Sequence, residues 1–414
     1  MSRQTERVVV TAMGVASPLG CSLDDFWNGL VAGKAGVGSL KETMFSDLPT
    51  NIGGMVWGYE EKQYFDSKEA RRMSRSSQLG LVAAQQAVSA AGLDDESTDP
   101  LEVGILIGSS IGGYSAADPS YKSFYTQGRM GPFTIPISMN VAPAANISIK
   151  YGFQGPLVNV DGACASAAHS IGYAFNMIRS GSLQVAVTGA ADSPLSAAVA
   201  AAWMAMRALS SREDCPAQAC RPFSADRDGL VLGEGAGVLV LESESHALKR
   251  GVPILAEIKG YGASADSSHL TQPAQLGPVL AMQRALADAE LTPEDIDYIN
   301  AHATGTEWND QNETRAMKEV FGPRAYQIPV VGNKAALGHS IAGSGALELI
   351  GCILSLRDQI VPPTINYRVP DPECDLDYVT EGSRRVKLKN IMSNSFAFGG
   401  SNAVLIVSGY EQNN

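Results

Sequence analysis

A cysteine that follows a strand-like run could act as a nucleophile. The run 157–160 is mostly apolar, Asp161 and Gly162 then provide a tight turn, and a helical pattern opens at Cys164. At the start of a helix, a thiol lies beside free backbone N–H groups and the positive end of the helix dipole. Both favour the thiolate and can form an oxyanion hole. Free cysteines are also among the most buried residue types, so this segment alone leaves a purely structural role open.

Two histidines lie in turns that are rich in small and hydroxylated residues. His302 follows a predicted strand at 298–300, and His339 lies in a glycine-containing loop before a predicted helix at 346–356. One such histidine would more often be structural. A cysteine together with two histidines supplies the nucleophile and the proton-handling groups that acyl transfer requires. The three residues therefore indicate an acyl-transfer site.

Strand-like runs alternate with helical patterns along nearly the whole chain, and these elements must position the three residues. Apolar runs predict strands at 8–11, 103–108, 157–160, 185–188, 238–242, 255–260, 298–300 and 403–407. Periodic apolar positions predict helices at 78–91, 165–179, 279–289, 313–320 and 346–356. This alternation predicts a layered α/β protein with helices on both sides of buried sheets. We detect no internal repeat, and the best candidate for a seam is the charged stretch before Pro253.

Composition argues against several functional classes. The 414 residues carry a formal net charge of −12, which disfavours nucleic-acid binding because phosphate neutralisation needs a basic surface. The six cysteines form no CxxC pair and no histidine stands at metal-ligand spacing, so we expect neither a metal site nor disulfides. The polar segment 1–7 is unlike a signal peptide, and the apolar run 197–206 is too short to span a bilayer. We therefore expect a cytoplasmic protein that binds neither nucleic acid nor membrane.

Eight segments together resemble one enzyme family. They are 10–14, 108–113, the turn of Cys164, 221–229, the segments of His302 and His339, 361–366 and 394–402. Through them the chain resembles, over essentially its whole length, the elongating β-ketoacyl-acyl-carrier-protein synthases. These are the Cys-His-His condensing enzymes of fatty-acid and type II polyketide synthesis.

The resemblance implies a fold and an assembly. The expected architecture is the thiolase fold, a five-layered αβαβα arrangement of two pseudo-duplicated halves. Residues 1–254 would form the half that carries the nucleophilic cysteine, and residues 255–414 the half that carries both catalytic histidines. The family is usually dimeric, so the resemblance implies a homodimer or a heterodimer with a subunit like a chain-length factor.

The resemblance also implies catalytic roles, and no cofactor beyond the phosphopantetheine of the carrier protein. Cys164 would take an acyl group from that arm as a thioester. His302 and His339 would promote decarboxylation of the malonyl-carrier protein and stabilise the enolate that attacks this thioester. Lys334 would order the site, although on its own it could be a solvated loop charge.

Further residues acquire binding roles from the same resemblance. Thr304 and Thr306 would hold the pantetheine arm, and Ile111 would line the acyl pocket. Phe398, in the loop that begins at Phe396, would gate the entry of acyl chains, or else be an ordinary core aromatic. A basic patch would dock the acidic acyl carrier protein, although such charges usually form a solvated face. Its members are Lys68, Arg71, Arg72, Arg129 and Arg207.

The chain departs from the common family pattern at five positions. Gly162 and Asn333 stand where threonine is common, Leu337 likewise, and Ala303 and Ala397 replace glycines. None of these changes removes a reacting group. Together they favour a specialised pathway, such as polyketide, polyene or modified-lipid synthesis.

Three other functions compete with this interpretation. A degradative thiolase would carry a second reactive cysteine in a C-terminal Cys-Gly context, which the sequence lacks. An initiating synthase would have asparagine in place of His339. A non-catalytic chain-length subunit would lack the cysteine that stands here at Cys164.

Overall fold

The computed structural model describes residues 6–95 and 98–412; most of the polar segment 1–7 therefore lies outside the described residues. Ten strands of the described residues pair into a single sheet. They are β1 Val8–Ala16, β2 Val103–Gly108, β3 Leu157–Val160, β4 Val185–Asp192, β5 Gly235–Ser243, β6 Ala256–Ala265, β7 Tyr298–Asn300, β8 Val330–Val331, β9 Asn390–Phe396 and β10 Ser401–Ser408. Two small antiparallel pairs lie apart from it, Gly38–Ser39 with Ile52–Gly53 and Ile360–Val361 with Arg384–Arg385.

The sheet consists of two five-stranded halves with the same strand order. One half runs β3-β2-β4-β5-β1 and the other β8-β7-β9-β10-β6. In each half the fourth strand of this order, β5 or β10, is antiparallel to both neighbours, and the first three are parallel. The halves meet where Val8–Val10 of β1 pair with residues 256–258 of β6. The duplication is therefore visible in the topology, although the sequence shows no repeat.

Within residues 6–95 and 98–412, thirteen α-helices surround and separate the two halves. They are α1 Leu23–Val31, α2 Ser67–Ala70, α3 Arg75–Ala90, α4 Tyr114–Gln127, α5 Thr134–Ser138, α6 Ala142–Tyr151, α7 Ser166–Arg179, α8 Ala197–Ala205, α9 Glu244–Arg250, α10 Leu276–Asp288, α11 Glu307–Phe321, α12 Lys334–Leu337 and α13 Ser344–Asp358. In the described part of the chain, every helix is too short or too polar to cross a lipid bilayer.

Two helices lie at the centre of the molecule. Helix α7 contacts β2 and β4 of one half and β6 and β10 of the other, and α13 contacts β5 and β9. Helices α3 and α6 cover the outer face of the first half, while α10 covers the second and α11 packs against α10. Because apolar side chains of α7 and α13 fill the space between both sets of strands, this region forms the largest hydrophobic core. The five-layered αβαβα fold expected from the resemblance is confirmed.

The predicted elements exist, but their limits differ. The predicted strand 8–11 extends to Ala16, and the predicted helix 313–320 already begins at Glu307. Strand β9, Asn390–Phe396, was not predicted, because polar residues occupy its central positions and become buried only through their partners in the fold. The helix expected to open at Cys164 begins two residues later, since a single 3₁₀ turn, Ala163–Ala165, precedes it.

Gly14 in β1 provides the first test. A Cβ atom there would lie 2.1 Å from Ala83 O and 2.7 Å from Gln86 Cβ of α3. We expect Gly14→Ala to push α3 away from the sheet and to lower the free energy of unfolding by about 1–3 kcal/mol, seen as a lower Tm. Gly409→Ala is the control, because a Cβ there meets nothing within 4 Å. Equal Tm values for the two variants would contradict this packing argument.

Candidate active site

Cys164 lies in a tight turn between β3 and α7. Ala163 adopts a left-handed φ of 49°, and Ser166 Oγ holds the turn by donating to Ala163 O and accepting from Gly162 N–H. This geometry aims the thiol into the interior, where Cys164 is only 6% exposed. The nucleophile is therefore fixed by local backbone contacts before any substrate binds.

His339 contacts the thiol directly. Its Nε2 lies 3.1 Å from Cys164 Sγ. Its Nδ1 accepts the backbone N–H of Ile341 at 3.2 Å, and the Ser344 hydroxyl lies 2.9 Å from the same nitrogen. Since a backbone N–H can only donate, we assign the ring proton of His339 to Nε2, where it faces the sulfur.

His302 is held in the same tautomer by a buried lysine. Lys334 is 1% exposed, and its Nζ lies 3.3 Å from His302 Nδ1, 2.6 Å from His302 O and 2.6 Å from Glu348 Oε1. Because an ammonium group has no acceptor, Nδ1 of His302 must accept, so its proton is also on Nε2. The structure thus brings Cys164, His302, His339 and Lys334 together in one buried cluster.

A buried carboxylate supports the loop that carries His302. Glu313 of α11 accepts the backbone N–H groups of His302 and Ala303, each at 2.8 Å. Ala303 has a left-handed φ of 44°. This backbone conformation explains why glycine is the common residue at that position, and here the two hydrogen bonds to Glu313 hold an alanine in it.

Burial dominates the ionisation of the site. Desolvation, together with the neighbouring Lys334 charge, keeps the pKa of both His302 and His339 well below the ordinary value, so both rings are neutral. Burial also raises the pKa of the Cys164 thiol to about 11, although Lys334 and the backbone N–H groups of Phe398 and Cys164 act in the opposite direction. The expectation that the helix start yields a thiolate is therefore wrong for the resting protein, because desolvation outweighs the nearby N–H groups.

A cavity of about 400 Å³ leads from the surface to these groups. Its lining includes Cys164, Trp203, Arg207, His302, Thr304, Thr306, His339, Phe396 and Phe398. The Thr304 and Thr306 hydroxyls lie 2.8 Å apart. The cavity is therefore lined by the thiol, both histidines, both predicted threonines and both phenylalanines of the 396–400 loop, whereas Lys334 lies behind His302.

Phe398 is partly exposed and rests on an aromatic side chain that the sequence analysis did not identify. It stacks on Trp203 of α8, with ring centroids 5.4 Å apart. Trp203 belongs to the apolar run 197–206, which sequence reasoning judged only as a membrane segment. Its partner at Phe398 is almost two hundred residues away, so only the fold reveals the pair.

Ile111 packs in the hydrophobic cluster that contains Cys164 and Trp203. Its backbone N–H lies 3.3 Å from Asp192 Oδ2, which also accepts the N–H of Ala342 in the loop after His339, at 3.3 Å. Asp192 is fully buried, and its other oxygen has no partner within the described residues. Asp192, which the sequence analysis did not identify, therefore connects the backbone of Ile111 with the loop that follows His339.

The five residues of the predicted basic patch are all exposed. Arg207 lines the cavity, and the Arg72 guanidinium lies 5.0 Å above the Phe133 ring, four residues after Arg129. Lys68 lies in α2 and Arg71 caps its end. The structure thus places one member of the patch at the cavity and leaves the others on the surface around α2 and the segment before α5.

The cluster of Cys164, His302 and His339 has the ligand types of a metal site, with ligand atoms within 4.8 Å of one another. A histidine that binds a metal through Nε2 needs an acceptor beside its Nδ1. Here both Nδ1 atoms face donors, the Ile341 N–H and the Lys334 ammonium. Both Nε2 atoms therefore carry protons, and the residues present do not suit a metal ion.

Family models match most of the chain. A model described as "Beta-ketoacyl synthase, N-terminal domain" matches residues 5–247, and one described as "Beta-ketoacyl synthase, C-terminal domain" matches residues 255–368.

Curated relatives are similar over nearly their whole length. Nodulation protein E of Rhizobium meliloti (strain 1021) is 43% identical over 401 residues, which cover 96% of this chain and 98% of the relative. 3-Oxoacyl-[acyl-carrier-protein] synthase 2 of Synechocystis sp. is 39% identical over 412 residues, 99% of each chain.

Solved structures share the fold. One is a type II polyketide acyl-carrier protein in complex with its ketosynthase bound to the hexaketide. Its matching chain is 31% identical, with a TM-score of 0.89 and coverage of 98% of this chain and 100% of that one. The other is the ishigamide ketosynthase/chain length factor, at 33% identity, a TM-score of 0.90 and the same coverage.

Asp192 generates a prediction about pH. Burial raises its pKa to about 7, whereas an aspartate in the unfolded chain titrates near 4. Its contribution to stability is therefore complete below about pH 4 and is lost as the pH rises through 7. In the wild type, the free energy of unfolding should therefore fall between pH 5 and pH 8. In Asp192→Asn we expect this fall to be smaller by roughly 1–3 kcal/mol, as measured by thermal or urea unfolding at each pH. Parallel pH profiles would show that this carboxyl group is not the source.

Proposed function

This chain belongs to the β-ketoacyl synthase family, and from that premise we propose how its buried cavity lengthens an acyl chain. It is a condensing enzyme, an acyltransferase of the 3-oxoacyl-[acyl-carrier-protein] synthase class. The observation that carries the mechanism is the arrangement of two neutral imidazoles, each with its proton on Nε2, beside one buried thiol.

The first step transfers an acyl group from carrier-bound phosphopantetheine to Cys164. The sulfur attacks the thioester carbonyl, a new C–S bond forms, and the carrier thiolate leaves with the proton that the thiol gives up. Negative charge develops on the carbonyl oxygen, and the backbone N–H groups of Cys164 and Phe398, which already act on the thiol, are the candidate oxyanion donors.

The second step decarboxylates a malonyl thioester and forms the carbon–carbon bond. Its carbonyl oxygen accepts the Nε2–H groups of His302 and His339, the bond to the carboxylate breaks, and CO₂ leaves. The resulting enolate carbon attacks the acyl group on Cys164, and the released thiolate takes up one proton. Because both rings are neutral, they stabilise the enolate oxygen without protonating the nucleophilic carbon.

The substrates bring their own reactive arm, so this chemistry uses no resident cofactor. We assign Thr304 and Thr306 to the pantetheine arm, Ile111 to the acyl pocket and the Phe396–Phe398 loop to its gate. The products would be β-ketoacyl chains of fatty-acid, polyketide or polyene synthesis. The departures at Gly162, Ala303 and Ala397, together with the similarity to a nodulation protein, support a specialised pathway.

A second subunit is proposed to cover β3. This strand pairs only with β2, so its other edge is free in the described structure, and Leu157 and Val158 are exposed there. Ile149 of α6, a helix that contacts β3, is a further exposed apolar residue. An unpaired apolar edge suits strand pairing with a second copy or with a chain-length-factor subunit.

The alternative of a non-catalytic chain-length subunit is disfavoured by Cys164, which has a histidine donor 3.1 Å away. We propose the division into halves 1–254 and 255–414, supported by the ends of β5 at Ser243 and the start of β6 at Ala256. The cytoplasmic location expected from the sequence stays a prediction.

Replacing the nucleophile tests the proposed steps separately. We expect Cys164→Ala to abolish condensation, because no acyl-enzyme can form, while malonyl-carrier protein is still decarboxylated by the two histidines. His302→Ala and His339→Ala should lower decarboxylation by at least about a hundredfold. Product analysis and CO₂ release measure the two activities. Cys215→Ala, at an exposed cysteine, is the control. Condensation by Cys164→Ala at the wild-type rate would refute the proposed mechanism.

Charge reversal tests the carrier-protein patch. We expect Arg71→Glu/Arg72→Glu to lower kcat/KM for acyl-carrier substrates at least about tenfold at low salt, and less at high salt, because exposed charges are screened. Turnover of small pantetheine thioesters should not change. The control is Arg385→Glu/Lys387→Glu, which reverses two exposed charges outside the patch. Equal kinetics of the patch and control variants at low salt would rule the patch out.

A further inference from the structure

A third histidine lies next to the turn that carries Cys164, Ala163–Ala165, which we call the nucleophile turn. It takes no part in the proposed acyl transfer or decarboxylation. His169 is in α7, five residues after Cys164, and is 8% exposed. Its Nε2 lies 2.8 Å from Ser401 Oγ and its Nδ1 lies 2.6 Å from the Tyr261 hydroxyl. The ring therefore connects the helix of the nucleophile in one half to β6 and β10 of the other.

Ser401 is the residue at which the loop that carries Phe398 joins β10. Its backbone oxygen accepts the N–H of Ala397 at 2.9 Å, which closes the loop 397–401. The 3₁₀ turn Phe398–Gly400 inside this loop packs against the nucleophile turn Ala163–Ala165. It also brings the Phe398 N–H to the Cys164 thiol. The side chain bonded to His169 thus belongs to the loop that carries one of the two proposed oxyanion donors.

Gly162 allows the imidazole to approach the nucleophile turn from below. A Cβ atom at residue 162 would lie 2.6 Å from His169 Cδ2 and 3.3 Å from Ser401 Oγ. The φ of Gly162 is −126°, so the backbone itself does not require glycine. The small residue is needed for close packing, and the same ring therefore touches the turn of Cys164 and holds the loop of Phe398.

We propose that His169 is a positioning residue that aligns the two oxyanion donors, the N–H groups of Cys164 and Phe398, through its hydrogen bond to Ser401. The inference rests on the proposed function of Cys164. Without that hydrogen bond, the loop keeps its backbone contacts but loses its link to α7, so the Phe398 N–H no longer has a fixed direction. Acyl transfer to Cys164 depends on both donors, whereas malonyl decarboxylation depends on His302 and His339.

The test compares these two activities in His169→Phe, a ring of similar size without hydrogen bonds. We expect the single-turnover rate of Cys164 acylation, followed by mass spectrometry, to fall about tenfold to a hundredfold, since loss of one whole oxyanion donor costs 10²–10³. The KM for the acyl-carrier substrate and the rate of malonyl decarboxylation should stay within about threefold of wild type. His246→Phe is the matched control, because His246 also makes a side-chain hydrogen bond, to Glu242, but lies in α9 and makes no bond to the loop of Phe398.

A double-mutant cycle tests the route through Ser401. Ser401→Ala should lower acylation as His169→Phe does, and the double variant should be no slower than the slower single variant. His169→Gln, which can still reach Ser401, should recover most of the acylation rate. These two variants also keep the proposal testable if His169→Phe fails to fold.

Three results would overturn this role. They are wild-type acylation in His169→Phe, a parallel loss of acylation and decarboxylation, and losses that multiply in the double variant. A wild-type enzyme that never acylates Cys164 would refute the proposed function, and this inference with it. Normal acylation by both the wild type and His169→Phe would refute the inference alone.

Discussion

Two buried hydrogen-bond donors fix the chemistry of the cavity. The Lys334 ammonium and the Ile341 backbone N–H each face the Nδ1 atom of a histidine and force its proton onto Nε2. Burial then keeps both rings neutral. The two imidazoles are consequently paired donors, suited to stabilising an enolate and unsuited to binding a metal ion.

The fold supplies this arrangement through its duplication. The nucleophile lies at the start of central helix α7, in the first half, while His302 and His339 lie in loops of the second half. Lys334 reaches His302 because it is tied to Glu348 of the other central helix, α13. Each half alone would hold only part of the site, and the interface of the two sets of strands unites them.

Local sequence patterns predicted the parts of this site that chemistry makes distinctive. His302 and His339 stand in turns where a core histidine has little reason to be, Cys164 stands at the start of a predicted helix, and their expected proximity follows from the resemblance. Asp192 and Trp203 were not predicted, because an aspartate at a strand end and a tryptophan in an alanine-rich run have ordinary local explanations. Their roles depend on partners far away in sequence. Strand limits failed for a similar reason, since β9 is buried by its neighbours rather than by its own hydrophobicity.

The burial of Cys164 has a consequence for its survival between turnovers. Peroxides and electrophilic metabolites react with thiolates, and the raised pKa keeps this sulfur protonated at neutral pH. The exposed Cys215, by contrast, lies at the surface outside the cavity. The buried thiol is therefore protected from oxidation and alkylation by small molecules in solution. A substrate reaches the sulfur only if it is long enough to extend to the bottom of the cavity.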